Sequence, residues 1–141
     1  MPNRNLNILL DTHTWIWLFS GSSELSKEAV DFIDNAGSKG KVFISAISVW
    51  ELSMLVAKDR VALSEPIQTW VKNSFDQPGV NLSAMSSEIA IESSFLPGDF
   101  HGDPADRIIV STARIDNLIL LTRDRKILRY AKQSYVNCFQ I

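Results

Sequence analysis

A single cysteine, Cys138, occurs in the 141-residue chain. One thiol makes no intrachain disulfide and no cysteine-rich zinc or iron–sulfur centre. It also fits a reduced, cytoplasmic setting. Histidine is scarce, with only His13 and His101. Long apolar runs are absent: the most apolar stretch, residues 6–19, is broken by Asn7, Asp11 and His13. It falls short of the ~20 apolar residues that cross a bilayer, and no small-residue cleavage site follows it. No membrane association is therefore expected. No repeat, low-complexity tract or linker interrupts the chain, and its length predicts one domain over 1–141. Charge of one sign is not in excess either, since 14 basic and 16 acidic side chains leave a net charge of −2. That balance alone does not suggest a nucleic-acid binder.

The charge is nevertheless unevenly placed. Residues 1–100 carry seven basic and twelve acidic side chains, and residues 101–141 carry seven basic and four acidic ones. The composition, 45% apolar and 21% charged, is that of a chain that buries a core. Short apolar strands are predicted over 6–10, 42–45, 80–82, 118–122 and 136–139. Helices are predicted over 12–20, 26–35, 47–58, 66–74, 87–95, 104–116 and 125–133. Strand–helix alternation of this kind predicts an α/β fold with a mostly parallel sheet. Ligands of such sheets bind at the carboxyl ends of the strands. The turn-rich stretch 96–104 reads as a long loop.

Acids fall where that rule points. Asp11 directly follows the apolar run 6–10, and Asp124 closely follows 118–122. Each also reads as a helix N-cap. Glu51 sits in Ser48-Val-Trp-Glu51, which has the form of a capping box, yet it lies along an apolar helical stripe with Ile47, Met54 and Leu55. In Asp103-Pro104-Ala105-Asp106, Asp103 reads as the cap and Pro104 as the first helical residue. Asp106 then falls in the first turn, next to an apolar face of Ile109, Val110 and Ala113. Four carboxylates crowded together repel or retain protons. A divalent cation removes that conflict, and oxygen-only ligands select Mg²⁺ or Mn²⁺ over zinc.

In these residues the sequence resembles the PIN-domain ribonucleases, in particular the VapC-type toxins of bacterial toxin–antitoxin systems. The matching segments are Leu9-Leu-Asp-Thr-His13, Ser45-Ala-Ile-Ser-Val-Trp-Glu-Leu52, His101-Gly-Asp-Pro-Ala-Asp-Arg-Ile-Ile-Val110 and Leu121-Thr-Arg-Asp124. Any one is weak; four in order across nearly the whole chain are specific. The resemblance implies a three-layer α/β/α fold around a five-stranded sheet. It implies a Mg²⁺-dependent endoribonuclease, with Asp11, Glu51, Asp106 and Asp124 as catalytic, metal-binding acids. The metal would lower the pKa of an attacking water and neutralise charge on the phosphate. Asp11 is expected to be the central ligand. Asp124 is expected either to serve a second ion or to orient the water. Thr122 matches a hydroxyl residue common in the family, and His101 and Asp103 belong to a subgroup loop pattern.

Around these acids, Thr12, His101, Asp103, Arg107, Thr122 and Arg123 are expected to contact RNA or support the ligands. Arg107 is favoured for phosphate contact because it adjoins Asp106, and Arg123 because it adjoins Asp124. Arg125, Arg129 and Lys132 form a further basic stripe at i, i+4 and i+7, with ordinary surface solubility as the competing reading. Two helices look too apolar to be wholly buried in a small domain. Trp15, Trp17 and Phe19 on one, and Trp50 and Met54 on the other, are expected to receive an antitoxin segment or, in part, a homodimer partner.

Competing readings are a receiver-type phospho-acceptor, a haloacid-dehalogenase-type phosphatase, a non-catalytic PIN-like binding module, and a metal-free ribonuclease using His13 and His101. The first lacks a lysine after its last strand. The second requires an acid two residues after Asp11, where His13 stands.

Overall fold

The structure, a computed structural model, describes residues 6–141. Its strands are β1 (Ile8–Leu10), β2 (Val42–Ser45), β3 (Val80–Ser83), β4 (Ile119–Thr122) and β5 (Cys138–Gln140). Its helices are α1 (Thr12–Phe19), α2 (Lys27–Gly37), α3 (Ala46–Ala57), α4 (Ile67–Asp76), α5 (Ser87–Ser94), α6 (Pro104–Ile115) and α7 (Arg125–Lys132). The five strands form one sheet in the order β3-β2-β1-β4-β5, and every pairing is parallel.

The strands alternate their side chains between two apolar cores. Ile8, Leu10, Ile44 and Leu121 enter one with Trp15, Ile33, Leu52 and Trp70. Leu9 and Leu120 enter the other with Ile109, Val110, Ile127 and Tyr130. Helices thus cover both faces, as a parallel sheet requires, and the fold is the three-layer α/β/α sandwich anticipated above. β1 is central, and Ile8, Leu9 and Leu10 are all 0% exposed. Its chain leaves toward β2 on one side, while β4 flanks it on the other. The carboxyl ends of β1 and β4 therefore border a topological switch point, the place where open α/β sheets bind ligands.

Three local differences from the sequence reading have physical causes. α3 begins at Ala46, because Ser45 at the end of β2 caps it by accepting from Ile47 N–H. Ser48 is consequently inside the helix and the capping box with Glu51 does not form. β5 starts two residues later than expected, because Ser134 adopts a left-handed turn and pairing with β4 begins at Cys138. The loop after α5 is present but tightly held. Tyr130 donates its hydroxyl to Pro97 O, and Gly98, at φ +70°, lies so close to Tyr135 that a Cβ would meet the ring at 2.6 Å.

Candidate active site

Asp11 is the best-fixed acid of the site. It is the N-cap of α1, its Oδ1 accepting from Thr12 N–H at 2.8 Å. Its Oδ2 accepts from the Thr122 hydroxyl at 2.6 Å, which joins the ends of β1 and β4. The same hydroxyl accepts from Asp124 N–H at 3.0 Å. Asp124 in turn caps α7 through Lys126 and Ile127 N–H. One threonine therefore orients two acids. Asp103 caps α6 by accepting from Asp106 N–H, and Asp106 follows in the first turn, where the helix dipole favours an anion. Glu51 projects from the second turn of α3.

These acids line one cavity of about 360 Å³: Asp11, Glu51, Asp103, Asp106 and Asp124 are all on its wall. Their mutual repulsion is visible in their acidities. The Asp106 carboxyl is pushed up to about 7, first by burial and then by Asp103, Asp11, Asp124 and Glu51. Asp11 is also raised, chiefly by burial, against the lowering effect of its Thr122 and Thr12 hydrogen bonds. His101 Nδ1 accepts from Asp103 N–H, and its Nε2 lies 3.2 Å from Asp106 Oδ2. That second contact brings the two groups together without forming a hydrogen bond.

Among the described residues, no three His, Cys, Asp or Glu side chains already converge on one metal position. The donor chemistry nevertheless fits a hard divalent cation. The donors are all carboxylate oxygens, and Asp11 and Asp106 are both raised, first by burial and then by neighbouring carboxylates. A cation bound between them relieves both burial and repulsion.

Several expected contacts are corrected. Thr12 is 1% exposed, so of its two expected roles the structure leaves support of the ligands: its N–H donates to Asp11 Oδ1 and its hydroxyl to Ser48, which ties α1 to α3. Arg107 is spent on three backbone carbonyls, Ser93, Phe100 and His101, at 2.7, 2.9 and 3.1 Å. It straps the 95–103 loop to α6 and is not free for RNA phosphate. Sequence adjacency to Asp106 misled, because neighbouring helical residues face different directions. Trp15 is 0% exposed and packs on Trp70 and Phe75, which removes it as an antitoxin contact. Trp17 lies on the wall of the acid cavity, together with His13 and Arg123. Phe19 is half-buried and lines an apolar groove between α1 and α2 with Leu18 and Ile33. Trp50 is 55% exposed, and Met54 is half-buried. Of the basic stripe on α7, Arg129 lines a neighbouring cavity of about 240 Å³ with Lys126 and His101, while Arg125 and Lys132 are exposed. His13 and His101 line different cavities, which weighs against a paired histidine acid and base.

A parallel sheet in this order with an acidic cavity at its switch point defines a PIN domain. Residues 8–133 match the PIN domain family, and the chain belongs to it. Within that family it is similar to Ribonuclease VapC22 of Mycobacterium tuberculosis (strain ATCC 25618 / H37Rv), at 32% identity over 120 residues, 85% of this chain and 88% of that protein. The fold matches VapBC2 from Rickettsia felis bound to a DNA fragment from their promoter, with a TM-score of 0.71 at 16% identity over 96% of this chain and 98% of that one. A toxin–antitoxin complex from Klebsiella pneumoniae matches with a TM-score of 0.58 at 26% identity, over 85% of this chain and 88% of that one.

Proposed function

We propose that the chain is a Mg²⁺-dependent endoribonuclease, the toxin of a VapBC-type pair, acting in the cytoplasm and neutralised by a cognate antitoxin. The observation that carries this is the meeting of Asp11, Glu51, Asp106 and Asp124 in one cavity at the sheet's switch point, with Asp11 and Asp106 held against ionisation. Similarity to a protein named a ribonuclease supports the activity. Similarity to a toxin–antitoxin complex supports the partner.

Asp11, Glu51, Asp106 and Asp124 would hold Mg²⁺ or Mn²⁺. Bound there, the ion supplies Lewis acidity that lowers the pKa of water and offsets charge gathering on the scissile phosphate. The chain's own part is orientation and proton balance. Thr122 fixes Asp11 Oδ2 and the backbone of Asp124, and the Thr12 N–H fixes Asp11 Oδ1. Asp106, with its raised pKa, would have to give up its proton to serve as a ligand, so ion binding would be weaker in acid. His101 faces that same carboxyl. The Arg107 strap holds the His101 backbone.

Among the described residues no helix is long and apolar enough to cross a membrane. Trp50, Phe19 and Met54 remain proposed contacts for an antitoxin segment, and a homodimer would cover part of the exposed apolar surface. The test is expression of the wild type and Asp11→Asn, with and without the product of any short reading frame found immediately upstream of the gene. We expect growth arrest and RNA cleavage from the wild type alone, relieved by the neighbouring product. A wild-type protein that cuts no RNA with either ion would overturn the proposal.

A further inference from the structure

Beside the acids, the same cavity is lined by a different chemistry. Trp17 of α1 lies against the Arg123 guanidinium, whose central carbon sits 4.6 Å from the ring centroid. Glu24 pins that guanidinium from the side, through its carboxylate at 2.7 Å and through its backbone carbonyl. One face of the guanidinium is thus backed by indole while the side chain remains 41% exposed. His13, one helical turn before Trp17, is exposed beside it, with its ring centroid 5.8 Å away and tilted by 48°. His13, Trp17 and Arg123 all line the cavity that holds the acids.

An arginine placed over an indole and fixed by a carboxylate is partly ordered before any ligand arrives. Held this way it loses little further freedom when a second plane lands on it. Unpaired bases stack on such guanidinium planes and on aromatic rings, whereas paired bases have no free face to offer. Placement decides which base is involved. The acids take the phosphate side of a substrate, so the platform within the same cavity meets the nucleoside next to that phosphate.

We propose that His13, Trp17 and Arg123 form a nucleotide subsite, in which the base of an unpaired nucleotide beside the scissile phosphate stacks on the Arg123 face backed by Trp17 and flanked by His13. This rests on the ribonuclease reading and deepens it: the substrate is single-stranded at the cut. It also gives Trp17 a role different from antitoxin binding.

Two measurements test the subsite separately from the chemistry. In the first, fluorescence anisotropy compares metal-free protein bound to a labelled 12-nucleotide single-stranded RNA, and to the same backbone abasic at every position. The wild type should bind the first about tenfold more tightly, the size of one base–aromatic stack. Trp17→Leu should lose that discrimination and Trp17→Phe should keep most of it. If Trp17→Leu does not fold, Glu24→Gln, which alters only an exposed pair, serves instead and should lessen the discrimination. In the second, a random RNA pool is cut and the new ends are sequenced. The wild type should show a base preference at one position beside the cut, flattened in Trp17→Leu. Equal binding of base-bearing and abasic strands by the wild type overturns the subsite. So does unchanged discrimination in both Trp17→Leu and Glu24→Gln. A wild type that cuts nothing defeats the ribonuclease reading alone, and the anisotropy result then decides the subsite by itself.

Discussion

The two walls of the cavity are built by different means. On the acid wall, Asp11, Asp103 and Asp124 are helix N-caps whose positions are dictated by the backbone. Each sits where a strand or loop hands over to a helix, and capping fixes its rotamer. The other lining group is not set by helix caps. Trp17, Arg123 and Glu24 come from a helix, a strand end and a loop, and the Arg123 side chain joins them, lying over the Trp17 ring and donating to the Glu24 carboxylate and backbone carbonyl. A backbone-defined wall keeps carboxylates in place against their own repulsion. A wall held by side chains tolerates more adjustment than one held by helix caps.

The largest effect should come from the best-fixed acid. Asp11→Asn still caps α1, since asparagine caps helices as well as aspartate, so circular dichroism should be unchanged. Its RNA cleavage should fall by roughly a hundredfold or more, the scale of losing one charge-stabilising group at a reacting centre. Asp106→Asn should cost activity similarly, but its stability effect separates it from an ordinary damaging change. The folded carboxyl holds its proton up to about 7, against an ordinary aspartate value of 3.8. The folded state therefore binds more protons than the unfolded one between those values. Stability of the metal-free protein falls as pH rises through that window. Asp106→Asn removes the Asp106 part of that slope and leaves the part from Asp11, whose pKa is also raised. In chelator at neutral pH it should be more stable than wild type by about 1–2 kcal/mol, a value discounted for the solvent that reaches the group. Urea unfolding at pH 5 and pH 7.5 checks this. A wild type that gains stability across that range contradicts the electrostatic account.

Thr122→Val should act through the two acids it orients, lowering cleavage by roughly tenfold while retaining the fold. It removes hydrogen bonds to a carboxylate and a backbone amide worth about 1.5–3 kcal/mol together. Cleavage assays at saturating RNA read this as a fall in kcat. The smallest effect should be at Asp103, where Asn preserves the cap to Asp106 N–H. Asp103→Asn should retain substantial activity, and full loss would move Asp103 among the essential ligands.

Legibility in the sequence divided along the same line as the walls. The strands were readable because their apolar runs are short and bounded. Their ends marked Asp11 and Asp124, and Pro104 marked the start of α6 after Asp103. The sheet proved wholly parallel where the alternation predicted a mostly parallel one. Glu51 was harder, because Ser48 offered a false cap and the true one, Ser45, is also the last residue of a strand. The arginines were not readable. Arg107 and Arg123 each adjoin an acid, yet one is consumed by three carbonyls and the other lies on an indole. Ser93 of α5 and the 95–103 loop decide the first, and Trp17 of α1 with Glu24 decides the second, through contacts that the sequence order does not announce. Trp15 and Trp17 differ for the same reason: two positions apart on an apolar helix, one is sealed in the core and one opens on the cavity.

The central claim is that the acid wall holds a cation that lets water attack RNA. Water attack with loss of the 3′ oxygen leaves a 5′-phosphate and a 3′-hydroxyl. A histidine acid and base would instead drive the neighbouring 2′-hydroxyl onto phosphorus and leave a 2′,3′-cyclic phosphate. End-group analysis of cleaved RNA, in chelator and after restoring Mg²⁺ or Mn²⁺, separates the two. The account predicts no cleavage in chelator, recovery with either ion, and 5′-phosphate ends, including on a strand whose cleavage-site 2′-hydroxyl is replaced by hydrogen. Cyclic phosphate ends formed in chelator would contradict it.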